Sequence, residues 1–226
     1  NINLKMNFKF IRIEDKFVFY KNSKEFLTPS GNLVYVHKKT HAKLVLEELV
    51  KKKKNQSPNS ILNLTLFSCN LNIVETNQIK KKISENLEYD CILHRSSEDS
   101  ELTEKMNTEL NCYINNFEIE FKVKLEIIDS FFKKKLKIGN NFREYLDKLN
   151  NFDLTVFFKM SSLTKSSILT YFFIKKKINY NTLYKLTNIE YTYQQTRWGL
   201  VDEQKKIDQS NIDELKNISF FFKKIN

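Results

Sequence analysis

Asp202 and Glu203 are neighbouring carboxylates a few residues beyond Trp198, the chain's one tryptophan. Paired carboxylates can do acid–base work. Adjacent positions on a helix point apart, however, so the pair reads as a wet acidic rim. His37 and His41 have the i, i+4 spacing of metal ligands on a helix. A helix start at Thr40 takes them off a common face, and no acidic or cysteine third ligand lies nearby. Cys69, Cys91 and Cys112 form no CxxC pair and have no histidine close in sequence. The chain's 3 glycines form neither the dinucleotide fingerprint nor a P-loop, and no serine sits in a nucleophile elbow. These residues give no expected catalytic group, cofactor site or metal site.

The stretch Tyr180–Asp208 holds Trp198 and Gly199. It opens as an amphipathic helix, because Leu183, Leu186, Ile189 and Tyr193 recur at helical spacing on one face. Glu190, Gln194 and Arg197 repeat on another. Trp next to Gly in a polar setting reads as a core plug at a helix joint or as a contact anchor, since Trp is enriched at interface hot spots. On spacing alone the core plug is the preferred reading.

The elements that position this stretch divide the chain in two. Residues 1–96 begin with strands: Phe8, Phe10 and Arg12, then Phe17 and Phe19, alternate with polar partners around a turn at Glu14-Asp15-Lys16. Phe26 to Asn32 is a turn by composition, and Leu33, Tyr35 and His37 continue as a strand. Thr40 is placed to cap a helix running through Leu49, with Leu44, Val45, Leu46, Leu49 and Val50 as its apolar face. A polar loop, Lys51 to Pro58, precedes helices over about 60–73 and 75–87. Asp90 to Arg95 reads as a short strand or a helix end. Residues 97–226 read as helical: Ser100–Phe117, then an extended link at Val123–Ile128, a helix from Gly139 to about 149, one capped by Asp153 and carrying Val156, Met160, Leu163, Ile168 and Tyr171, the Trp-Gly helix, and a last one over about 203–222. Strands first and helices afterwards predict an α+β fold, or an α/β domain followed by a helical one.

Composition sets the outer bounds. At 226 residues the chain can bury a real core. Its net charge of +11 comes almost wholly from lysine, with arginine only at 12, 95, 143 and 197. Arginine is the better fork for phosphates and bases, so specific nucleic-acid recognition is not expected. Abundant Lys, Asn, Ile and Phe match the codon bias of an AT-rich genome. The alternative is a basic polyanion-binding module built on Lys51–Lys54, Lys80–Lys82, Lys133–Lys135 and Lys175–Lys177. An odd cysteine count argues for a reducing compartment. No secretory signal or membrane span is read, the most apolar stretch, Phe152–Ile174, being broken by Asp153, Lys159 and Lys165.

Five segments are similar, in order, to those of one known family. Leu27-Thr28-Pro29-Ser30-Gly31-Asn32 resembles its "lkTPxGnxL" turn, with Val34 and Val36 after it, and Ala42–Glu48 resembles its "LAxAxAxEW" helix. Thr65–Asn72 resembles "TxLxNTaiD", and Tyr89–Arg95 resembles "TDLlcYR". Tyr193-Gln194, Trp198-Gly199 and Asp202-Glu203 match "eeYQxxxWGxxxD/E". The family is the assembly chaperones of the F-type ATP synthase that bind the alpha subunit, the ATP-twelve family. Departures are Leu49, Leu110 and Asn116 where the family has tryptophans, Ser68-Cys69 for its Asn-Thr pair, and Thr192 at an acidic position. The lost tryptophans suggest a diverged member or a repacked joint between domains.

The resemblance implies an α+β fold, a small N-terminal domain of antiparallel strands and helices followed by an all-α C-terminal helical bundle, in a non-catalytic helper that holds the unassembled alpha subunit until the beta subunit covers the same surface; a monomer is expected. The partner-binding face is expected around Glu190, Gln194, Trp198, Asp202 and Glu203. The expected location is the cytoplasm of an alphaproteobacterium, with the mitochondrial matrix as the alternative.

Overall fold

Phe8–Ile13 (β1) and Lys16–Lys21 (β2) form an antiparallel hairpin in which Phe10 faces Phe19 and Ile11 faces Val18. The reversal falls at Glu14-Asp15, with Glu14 at positive φ. A second reversal at Asn22-Ser23, both at positive φ, leads into Lys24–Glu25 (β3). Two such residues fit the twist of a tight hairpin. Tyr35–Val36 (β4) pairs with β2 at Phe17 and Val18, making β2 the central strand. The structure is a computed structural model, and it describes residues 7–51, 56–95, 99–128, 140–199 and 202–226, without the side chains of Asp202 and Glu203. The α+β class read from the sequence is borne out.

The helices follow as Lys39–Lys51 (α1), Ile61–Asn70 (α2), Ile73–Glu88 (α3), Ser100–Phe121 (α4), Asn140–Asp147 (α5), Asn151–Thr164 (α6), Ser167–Ile174 (α7), Tyr180–Thr187 (α8), Ile189–Trp198 (α9) and Asp202–Ile225 (α10). No described helix is long and apolar enough to cross a membrane. The chain groups into two units that do not follow chain order. Unit one is residues 1–76, 150–156 and 216–226, and unit two is residues 77–149 and 157–215.

In unit one, β2 buries Val18 and Phe19, and α1 buries His41, Ala42, Val45 and Leu49 along one face. Val50 is exposed, so the apolar face runs through His41 and Ala42 instead. Helix α1 begins at Lys39, which puts Thr40 inside it and removes the expected cap. Ser60 caps α2, its Oγ accepting from the Asn63 amide at 3.2 Å. That helix stops at Asn70, short of the expected residue 73. Asn72 Oδ1 accepts from the Val74 and Glu75 amides while Glu75 reaches back to the Asn72 amide at 3.0 Å, a reciprocal capping box opening α3. At α6 the cap is Asn150, which accepts from the Phe152 and Asp153 amides, and not Asp153, which lies in the first turn. Cross-links between elements are polar as well as apolar: Ser68 Oγ donates to Thr155 Oγ1 at 2.9 Å, and Asn151 Nδ2 to the Leu71 carbonyl at 3.0 Å.

Unit two is built on rings. Phe117, Phe121, Phe142, Tyr145, Phe157 and Tyr171 meet edge to face at centroid distances near 5 to 6 Å, a geometry that aromatic quadrupoles favour. Helix α4 supplies Leu102, Met106, Leu110, Ile114, Phe117 and Phe121 from one face and runs past the expected Phe117 to end at Lys122 in the left-handed region. Helix α3 adds Ile79, Ile83 and Leu87. The expected helix through Tyr171 is two helices. Lys165 at positive φ ends α6, and Ser166 caps α7 by accepting from the Leu169 amide at 3.1 Å. Asp90 to Arg95 forms a short 3-10 turn, Cys91–Leu93, followed by a parallel bridge from His94 to Ile128.

Candidate functional site

The stretch expected to be one amphipathic helix from Tyr180 is two helices joined at Asn188, whose side chain donates to the Tyr184 carbonyl at 2.8 Å. Leu183, Leu186 and Ile189 are buried as their spacing requires. Helix α9 itself buries fully only Ile189. Short helices owe their stability to a buried apolar face, so α9 depends on its polar contacts.

Those contacts lie on two flanks. Along one, the Arg197 guanidinium reaches Asp99 at 3.2 Å and Glu101 at 2.7 Å, the two acids at the start of α4. It also stacks over the Tyr193 ring at 4.6 Å, and the Tyr193 hydroxyl donates to Glu101 at 2.9 Å. Asp99 caps α4 through the Leu102 amide; that bond first, and then Arg197, holds its carboxyl below the usual range. Along the other flank, Asp208 of α10 accepts from the Tyr191 hydroxyl at 3.2 Å, from Gln195 at 3.4 Å and from Gln204 at 3.1 Å. Burial, and then Asp208, pushes the Tyr184 hydroxyl up to about 12.

Glu190, Gln194 and Trp198 follow one another at i, i+4 between these two flanks. Gln194 donates to Glu190 at 3.3 Å within the stripe. Trp198 is 78% exposed. The core-plug reading of Trp198 is therefore overturned: no described residue covers the indole, and Gly199 at φ +85° closes the helix through the Gln195 carbonyl. Asp202 opens α10 and Glu203 follows it; both side chains lie outside the described residues. The structure thus brings Glu190, Gln194 and Trp198 onto one helix face and leaves the acidic pair placed by backbone alone.

Arg197 belongs by spacing to the Glu190, Gln194 and Arg197 repeat; its partners lie 96 and 98 positions away in sequence, and no local signal reveals them. Asp90 stands in the sequence as part of a motif and of a short strand or helix end, with no signal of burial. It is wholly buried, its carboxyl accepting from the Ile92 amide at 3.2 Å and the Ile168 amide at 2.9 Å, and it binds the 3-10 turn to the start of α7. Burial pushes it up to about 7 against the pull of these donors and of Ser166 and Ser167. Arg95, also a motif residue, is buried with its guanidinium on the Ile92 and His94 carbonyls and on Asn107 and Asn111. Both are scaffold.

The histidines part company. His37 precedes α1 and faces Asp15 at 3.4 Å, whereas His41 is buried with Nε2 at 2.8 Å from Thr65 Oγ1. No group of three metal-binding side chains occurs among the described residues. The lysine runs are largely engaged where described. Lys51 pairs with Glu47, Lys80 with Asp147 and Lys81 with Glu85; Lys82 lies over Phe158, and Lys175 over Tyr145 and Tyr171. Lys52–Lys54 and Lys133–Lys135 lie outside the described residues.

Comparison with known proteins agrees with the motifs. The mitochondrial protein atp12 of Schizosaccharomyces pombe is 27% identical over 209 positions, covering 84% of this chain and 70% of the relative. The chain resembles Atp12 along most of its length. The crystal structure of Atp12 from Paracoccus denitrificans superposes with a TM-score of 0.83 over 97% of this chain and 96% of that one, at 16% identity. A crystal structure from Agrobacterium tumefaciens, of a protein given only a provisional description as a chaperone, superposes with a TM-score of 0.84 over 99% and 85%, at 13% identity. At those identities the two structures speak for the fold. No protein-family model matches the chain. Leu49 and Leu110, which stand where the family resemblance calls for tryptophan, are both buried, and Asn116 is exposed.

Proposed function

We infer that this Atp12-like chain is a non-catalytic assembly chaperone of the F-type ATP synthase. It holds the unassembled alpha subunit until the beta subunit takes over the same surface. The observation that carries the reading is Trp198, bare at the end of α9, in a chain similar to Atp12. Unpaired subunits of obligate assemblies expose large apolar interfaces, and a helper that covers one lowers the free concentration of sticky surface by mass action. It must also let go. An aromatic anchor within a polar stripe suits that, because the ring supplies contact energy while surrounding charges govern encounter and selectivity more than affinity.

In this reading Glu190, Gln194 and Trp198 form the contact face, with Asp202 and Glu203 beside it at the start of α10. The helper works as a monomer, in a bacterial cytoplasm or a mitochondrial matrix. Co-expression with the alpha subunit of the same genome tests it: the soluble fraction of that subunit should rise severalfold. Glu190→Lys and Asp202→Lys should each sharply reduce capture in a pull-down while the far-ultraviolet circular dichroism stays unchanged. Undiminished capture by the doubly reversed variant would move the contact face elsewhere, and an alpha subunit equally insoluble with and without the chain would end the chaperone reading.

A further inference from the structure

Helix α9 is ten residues long and fully buries one side chain, Ile189, yet it is fastened on both sides. On one side Arg197 spans Asp99 and Glu101 and stacks on the Tyr193 ring. On the other, Asp208 gathers Tyr191, Gln195 and Gln204. The two fastenings use residues i and i+4 on either side of the Glu190–Gln194–Trp198 stripe. All of them lie within unit two. An exposed indole on a poorly buried helix would otherwise pay an ordering cost on every encounter, and groups held in their bound geometry beforehand avoid it.

We propose that Arg197 and Asp208 are positioning residues for the Trp198 contact, clasping α9 between α4 and α10 so that the indole is held ready before the client arrives. The proposal rests on Trp198 being a contact residue. Arg197 is not interchangeable with lysine in this role, because a guanidinium can address two carboxylates at once and lie flat on a ring. The Arg197 side of the clasp is exposed and therefore weakened by salt; the Asp208 side, half-buried and made of hydrogen bonds, is less so.

Because Trp198 is the one tryptophan, its fluorescence anisotropy reports on this corner directly. The full chain is compared as wild type, Arg197→Lys, Arg197→Ala, Asp208→Ala and the Arg197→Ala/Asp208→Ala double variant, with circular dichroism and thermal midpoint as controls for folding. The expected order of falling anisotropy is wild type, Arg197→Lys, the single alanine variants, then the double. Alpha-subunit capture should weaken roughly 3- to 10-fold in the alanine variants, the cost of ordering a side chain on binding. Raised salt should lower the anisotropy of wild type and leave Arg197→Ala nearly unmoved. An anisotropy that stays at the wild-type value in the folded double variant overturns the clasp. Anisotropy that falls with capture unchanged overturns its positioning role. If wild type itself captures no alpha subunit, the contact reading fails, while the anisotropy series still decides whether the clasp exists.

Discussion

Unit one and unit two each bury an ionisable side chain at the meeting point of several elements, and they do so with opposite chemistry. In unit one it is His41, set edge-on to Phe152 and Phe221 and bonded to Thr65. The Thr65 hydroxyl already donates to the Ile61 carbonyl, so its oxygen accepts from the imidazole, which is neutral with its proton on Nε2. Burial, aided by the charge of His37, pushes His41 down to about 4. In unit two it is Asp90, held by backbone amides of the 3-10 turn and of α7, with burial pushing it up to about 7. The difference teaches how each unit joins its pieces. A flat neutral ring packs like an aromatic residue and adds one hydrogen bond, whereas a carboxyl collects several amides at a chain reversal where no helix or strand can pair them.

The contrast can be broken most severely at Asp90. Asp90→Ala strands the Ile92 and Ile168 amides in the interior, and each buried unpaired donor costs about 1–3 kcal/mol. Urea unfolding followed by amide exchange should show unit two losing about 3 kcal/mol or more, with protection in α7 falling first. A loss below about 1 kcal/mol would mean that water or a neighbour replaces the carboxyl.

The opposite signs of the two groups sharpen it further. His41 in the folded state, at about 4, binds fewer protons than in the unfolded chain, at 6.5. Its contribution is therefore whole above about 6.5 and lost as pH falls toward 4, by about 3 kcal/mol in all at 1.4 kcal/mol per unit. Asp90 runs the other way. Its folded pKa lies above its unfolded value of 3.8, so its contribution is whole below 3.8 and lost as pH rises through about 7. His41→Phe should flatten the stability profile between pH 4 and 6.5, and Asp90→Asn should flatten it between 4 and 7. Unfolding midpoints collected across that range check both. A His41→Phe profile parallel to wild type would show that the ring is protonated in the folded protein.

The smallest effect compares two helix caps. Ser60→Ala removes one side-chain cap in unit one, worth about 1 kcal/mol. Ser166→Ala removes the same kind of cap in unit two and also a partner of Asp90, so it should cost more, by about a further 1 kcal/mol. Equal costs for the two would place Asp90 outside any shared network.

Much of this was legible before the structure. Alternation at Phe8, Phe10, Phe17 and Phe19 gave the hairpin, and helical spacing gave the buried Leu183, Leu186 and Ile189. Less legible were the helix limits. Helical spacing of apolar residues continues across Lys165 and Asn188, and only the closing of one helix cap and the opening of the next reveals the breaks. Thr40 and Asp153 had the right chemistry to cap, but Asn150 and the start of α1 at Lys39 lay a few residues upstream. Cap preference is a weak local bias that packing overrides.

What the sequence by itself determined is the class of the fold, the alternation and periodicity of its elements and the run of motifs shared with the Atp12 family, all of them properties of residues close together in the chain. Only the tertiary structure decided that Trp198 faces outward, that Arg197 reaches Asp99 and Glu101, and that Asp90 lies sealed inside. The reason is physical: burial and pairing depend on which distant side chains arrive at the same place, and an indole, a guanidinium or a carboxyl has the same local spacing signature whether that place is wet or dry.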